Sequence, residues 1–126
     1  MNYESMNNKK ESLIATKVFK FVIEVIKTTK YLPKTYEHTI IIKQIVRSVT
    51  SVGANIEEAL ASNTRKEFIH SMNIAKKEAR ETLYWLKLLD VINPQRNIDI
   101  SSIMKENQEI ITVLTSIVKT SSERAK

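Results

Sequence analysis

The chain has 126 residues with 20 Lys or Arg against 14 Asp or Glu, a formal net charge of +6. Hydrophobic residues make up 42% and charged residues 27%, enough apolar material for a core and too much for intrinsic disorder. One glycine, two prolines and no cysteine exclude collagen-like and low-complexity chains, argue against a turn-rich β sandwich or barrel, and leave no disulfide, thiolate nucleophile or zinc–thiolate site.

The first ten residues, Met1 to Lys10, are polar, with no apolar stretch behind a basic start, so no secretory signal is expected. Helix 1 is expected over 12–31. Ile14, Val18, Phe21, Val25 and Leu32 recur in steps of three, four and seven, widened by Val22 and Ile26, opposite Lys17, Lys20, Glu24 and Lys27. Pro33 stops it, because it cannot donate and disfavours helical geometry in the preceding residue.

Helix 2 is expected over 36–62, with Ile42, Ile45, Val49, Val52, Ile56 and Ala59 in strict 3-4-3-4-3 spacing, the seam of bundle packing. Gly53 costs about 1 kcal/mol there relative to Ala, which points to a close approach or slight bend. Helix 3 is expected over 65–92. Thr64 and Glu67 form a capping box before a stripe of Phe68, Met72, Ala75, Ala79, Leu83, Leu86 and Leu89. Asn93 to Asn97 break the pattern. Helix 4 is expected over 100–122, capped by Asp99, with Met104, Asn107, Ile111, Leu114 and Val118 as its seam and Ile103, Ile110 and Ile117 beside it. The tail from Ser121 to Lys126 is expected to fray.

Short connections between four helical segments give an all-α chain, one domain over 1–126, as an antiparallel up-down-up-down four-helix bundle. No run approaches the ~20 apolar residues of a membrane span, so no membrane partner and a cytoplasmic location are expected.

Catalytic constellations are absent. The Glu67-x-x-His70 pair resembles half of a di-iron motif, but it occurs once and Glu67 is already used by the capping box. With no glycine-rich phosphate loop and no strained nucleophile elbow, no enzyme activity, metal or cofactor is expected.

Two stripes carry the functional content. On helix 2, Gln44, Ser48, Ser51, Asn55, Glu58 and Ser62 recur beside the apolar seam. They form either an ordinary half-exposed edge or a helix–helix or subunit interface in which Asn55 and Glu58 fix register. On helix 3, Lys66, His70, Asn73, Lys77, Arg80, Tyr84 and Lys87 form a face without an acidic residue. It is either a solvated face or one on which Lys66, Lys77, Arg80 and Lys87 meet phosphates while Tyr84 offers a stacking surface. Glu78 and Glu81 on its flank dilute the field. Between the stripes lie Glu81 and Trp85, the single tryptophan, a core residue or an interface anchor. Apolar residues on more than one stripe of helix 3 point toward self-association.

The run Arg47-Ser48-Val49-Thr50-Ser51-Val52-Gly53-Ala54-Asn55-Ile56-Glu57-Glu58-Ala59, followed by Lys66-Glu67-Phe68-Ile69, Ile74 to Thr82 and Tyr84-Trp85-Leu86, resembles the bacterial 23S ribosomal RNA intervening-sequence proteins. That family includes the accessory variability determinant of diversity-generating retroelements. The matching positions are Arg47, Ser51, Asn55, Ile56, Glu58, Glu67, Phe68 and Glu81. Ala59 and Ala79-Arg80 stand where many members have Gly and Gly-Ser.

The resemblance implies a homopentameric ring of four-helix bundles and, in the retroelement branch, contacts with a reverse transcriptase and nucleic acid. A ring would multiply the charge of +6 fivefold. The expected function is therefore non-enzymatic, ring-forming binding of RNA or DNA through basic faces, with a protein-interaction scaffold that binds no nucleic acid as the alternative.

Overall fold

The computed structural model describes residues 3–94 and 97–124. Four helices occupy them: α1 (Tyr3–Thr29), α2 (Tyr36–Leu60), α3 (Arg65–Ile92) and α4 (Ile100–Arg124), with no strand among the described residues. Each helix packs on two others in a closed cycle, α2 on α3, α3 on α4, α4 on α1 and α1 on α2. The expected seams line the core. Val18, Phe21, Ile45, Val49, Ile56, Met72, Leu86 and Leu114 are all at most 2% exposed. Ile42, Phe68, Leu83 and Met104 are half-buried and pack against this core.

The helix ends follow local chemistry. α1 stops at Thr29, and i to i−3 bonds from Lys30, Tyr31 and Leu32 tighten the chain ahead of Pro33. Thr35 caps α2, its hydroxyl accepting from the His38 amide at 3.1 Å. Thr64 accepts from the Glu67 amide at 3.1 Å, and the Glu67 carboxylate reaches one residue beyond the cap, to the Asn63 amide at 3.2 Å. Asp99 accepts from the Ser102 amide at 2.9 Å.

Three expectations are corrected. α1 begins at Tyr3 rather than residue 12: residues 3–11 have no apolar period but also no Pro or Gly to stop a helix. The C-terminal segment continues α4 to Arg124, with Ser121 buried. Gly53 answers no steric demand. A Cβ there would meet Val22 Cγ2 at 3.7 Å and Val18 Cγ1 at 3.8 Å, ordinary contact distances. Gly53→Ala is therefore expected to raise the unfolding free energy by about 0.5–1 kcal/mol in urea titrations, through helix propensity and a less flexible unfolded chain. Gln95, Arg96, Ala125 and Lys126, which belong to the expected third break and tail, lie outside the described residues.

Buried polar groups tie the helices together. Asn107 Nδ2 on α4 donates to the Ala79 carbonyl on α3 at 3.0 Å, and Thr82 Oγ1 on α3 donates to Ser48 Oγ on α2 at 2.7 Å. Where α1 meets α4, Lys17 pairs with Glu109 at 3.3 Å. Beside that pair, burial first, and then the Glu24 carboxylate that shares a hydrogen bond with it, raises the Glu106 carboxyl above the usual glutamate range. A carboxyl raised on folding gives stability at acidic pH that is lost as pH rises from its unfolded value through its folded one. Glu106→Gln is thus expected to raise the thermal midpoint at pH 7 and to change it less at pH 4, as a pair of melting curves would show.

Candidate nucleic-acid interface

The α3 stripe is presented to solvent along its whole length. Lys66, His70, Asn73, Lys77, Arg80, Tyr84 and Lys87 are all exposed, opposite the buried Met72, Ala75, Ala79, Leu86 and Leu89. Among the described residues, Lys66, Lys77, Arg80 and Lys87 make no ion pair or side-chain hydrogen bond within the chain. Four cations with free donors on a single helix face can each meet a phosphate oxygen.

The acidic flank is compensated from α2. Arg47 lies at 3.3 Å from Glu78 Oε2 through Nη1 and pairs with Glu81 Oε2 through Nη2. Glu81 also accepts from the Trp85 indole Nε1 at 3.1 Å. One arginine thus draws both carboxylates toward the α2–α3 seam, which reduces the dilution they were expected to cause. Trp85 is half-buried against the core, and Tyr84 stands edge-on to it, ring centroids 5.1 Å apart at 71°. Tyr84 itself is 55% exposed.

The expected interface residues take different places along the α2–α3 seam and the turn that joins the two helices. Ser48 is fully buried inside the chain and its hydroxyl accepts from Thr82, so it serves the α2–α3 seam, the helix–helix side of that expectation. Asn55, half-buried, donates to the Ser51 carbonyl at 2.9 Å and the Ser51 hydroxyl at 3.1 Å, bonds within its own helix that fix no register between helices. Glu58 is exposed beside the α2–α3 turn, in a shallow pocket with Asn63, Lys66 and His70. Glu81 accepts from Trp85 and pairs with Arg47. The role of Arg47 was not visible in helical spacing, since its partners lie on the next helix. Its place beside the serine stripe, opposite an acidic pair on α3, was the available signal.

Among the described residues, no three His, Asp or Glu side chains gather so as to hold a metal ion. Glu67 is occupied by the cap and His70 is exposed. No helix of the described residues is long and apolar enough to cross a membrane.

The pattern of the 23S rRNA-intervening sequence proteins matches residues 10–116, spanning all four helices. The chain belongs to that family. A solved structure from Bacteroides thetaiotaomicron, a protein of unknown function from the S23 ribosomal protein family, is similar at 38% identity and a TM-score of 0.79. The similarity covers 87% of this chain and 98% of that one. No curated protein matches. Within this intervening-sequence protein, the residues quoted for the resemblance divide by role. Arg47 and Glu81 form the α2–α3 ion pair, Ser51 and Asn55 bond along α2, Ile56 is core, and Glu67 completes the α3 cap.

Proposed function

We propose that this intervening-sequence protein is a non-enzymatic, up-down-up-down four-helix bundle that assembles into a homopentameric ring and binds RNA or DNA through α3. The observation that carries the nucleic-acid reading is the acid-free α3 face, where Lys66, Lys77, Arg80 and Lys87 are exposed and unpaired among the described residues. The Arg47 pairs with Glu78 and Glu81 support it by lowering the opposing field.

The antiparallel order is supported by reversed pairings: Lys10 meets Ser116 while Lys17 meets Glu109. Self-association is supported by Leu13, Phe19, Ile23 and Ile40, all more than two-fifths exposed. The number five comes from the family resemblance. A cytoplasmic location suits such a partner, and a reverse transcriptase fits as a protein partner if the chain serves as its accessory factor.

A second reading, a protein-interaction scaffold without nucleic-acid binding, is favoured by Tyr31, Tyr36 and Val91, which are 74%, 78% and 84% exposed. Anisotropy of a labelled structured RNA between about 50 and 200 mM salt separates the two. Each phosphate contact contributes roughly −0.7 to −0.9 to the log–log slope, so four cations on one face give a slope of about −3. No binding at about 50 mM salt would contradict the nucleic-acid reading and favour the scaffold.

A further inference from the structure

We infer that the α3 face takes single-stranded nucleic acid, with one unpaired base stacked on Tyr84 and the flanking phosphates held by Arg80 and Lys87. The inference rests on the nucleic-acid reading above and narrows it.

The Tyr84 ring is braced yet bare. Its edge-on contact with Trp85 at 5.1 Å holds one side, Trp85 is held by the Glu81 carboxylate at 3.1 Å, and Glu81 is held by Arg47 from the neighbouring helix. More than half of the tyrosine nonetheless faces solvent, and its hydroxyl makes no hydrogen bond among the described residues. The core does not use this ring. A large aromatic surface held in place costs little ordering entropy when a flat partner lands on it.

The charges around the ring give the partner its form. Arg80 lies four residues before Tyr84 and Lys87 three residues after, so all three share one helix face, neighbours about 5–6 Å apart at Cβ. Cation, aromatic ring, cation is the sequence of contacts that phosphate, base, phosphate requires. In a duplex, base faces are covered by their stacking neighbours, and opening a step is unfavourable. A single strand, loop or bulge offers the face without that cost, and every base has one, so the contact tolerates sequence.

Trp85, the single tryptophan, touches Tyr84 and reports on it. The test titrates the full chain at about 50 mM salt with 12-nucleotide single strands of RNA and DNA and with a hairpin duplex, following Trp85 emission and the anisotropy of the labelled strand. The RNA and DNA arms identify the sugar by the tighter of the two. Expected are binding to the better single strand at least about tenfold tighter than to duplex, and a fall in Trp85 emission on the single strand alone. Tyr84→Leu is expected to lose about tenfold in single-strand affinity, whereas Tyr84→Phe, which keeps the ring, stays within about twofold. Both variants alter an exposed position, and unchanged melting curves confirm that they fold. Equal affinity for duplex and single strand with Tyr84→Leu behaving as wild type would overturn the single-strand inference and leave the nucleic-acid reading standing. Failure of the wild type to bind any of the three would overturn both.

Discussion

Exchanging Lys77 and Arg80 together for glutamate is expected to weaken RNA binding on the order of 1,000-fold at about 50 mM salt and to reduce the salt slope by about 2. The magnitude follows from two lost phosphate contacts plus two new repulsions, each on the order of 1 kcal/mol at a solvated surface. Both side chains are exposed and neither pairs with another described residue, so helicity and melting midpoint should hold steady. The sites adjoin Glu78 and Glu81, which already share Arg47, so the new carboxylates extend an acidic flank. Binding within about threefold of wild type, measured by anisotropy, would show that phosphates are met elsewhere.

Truncating Phe21 to alanine is expected to cost about 3–5 kcal/mol of unfolding free energy. Phe21 is 1% exposed and is among the largest fully buried side chains. α1 otherwise reaches the core through Ile14, Val18 and Val25, all aliphatic. A void at Phe21 therefore removes the bulkiest anchor of the helix whose contact with α4 is the sparsest of the four. Urea titration gives the loss. Amide hydrogen exchange should show α1 opening ahead of α2 and α3, because local stability follows local packing. Uniform acceleration across all four helices would instead mean that α1 unfolds only with the whole bundle.

The seams were legible because their periods are clean. Ile45, Val49, Val52 and Ile56 on α2, and Met72, Ala75 and Ala79 on α3, are buried as their spacing predicts. The caps at Thr64 and Asp99 were legible for the same local reason: a side-chain oxygen three residues before the amide it accepts from. Thr35 obeys the same rule two residues after Pro33. What spacing does not carry is the choice between neighbours for a residue at the edge of a stripe. Ser48 reads equally as surface or seam until α3 places Thr82 against it, 34 positions later. Arg47 is the same case with larger consequence, because its partners Glu78 and Glu81 decide how much field the basic face retains. The α3 face itself was legible as an acid-free stripe. That its tyrosine is braced by tryptophan, glutamate and arginine in series depends on two helices meeting.

The claim that α3 is the surface that meets nucleic acid has a rival within the molecule. A cleft between the end of α1 and the start of α4 also carries cations and an exposed aromatic, Lys20, Lys27 and Tyr31, though Glu24 and Asp99 share its walls. Ultraviolet cross-linking of a bound RNA to the full chain, with the adducts located by mass spectrometry, separates the two surfaces directly. The predicted result is adducts concentrated on α3 peptides, Tyr84 foremost, and lost with the Lys77 and Arg80 exchange. Adducts concentrated at Tyr31 and the neighbouring lysines, unaffected by that exchange, would contradict it.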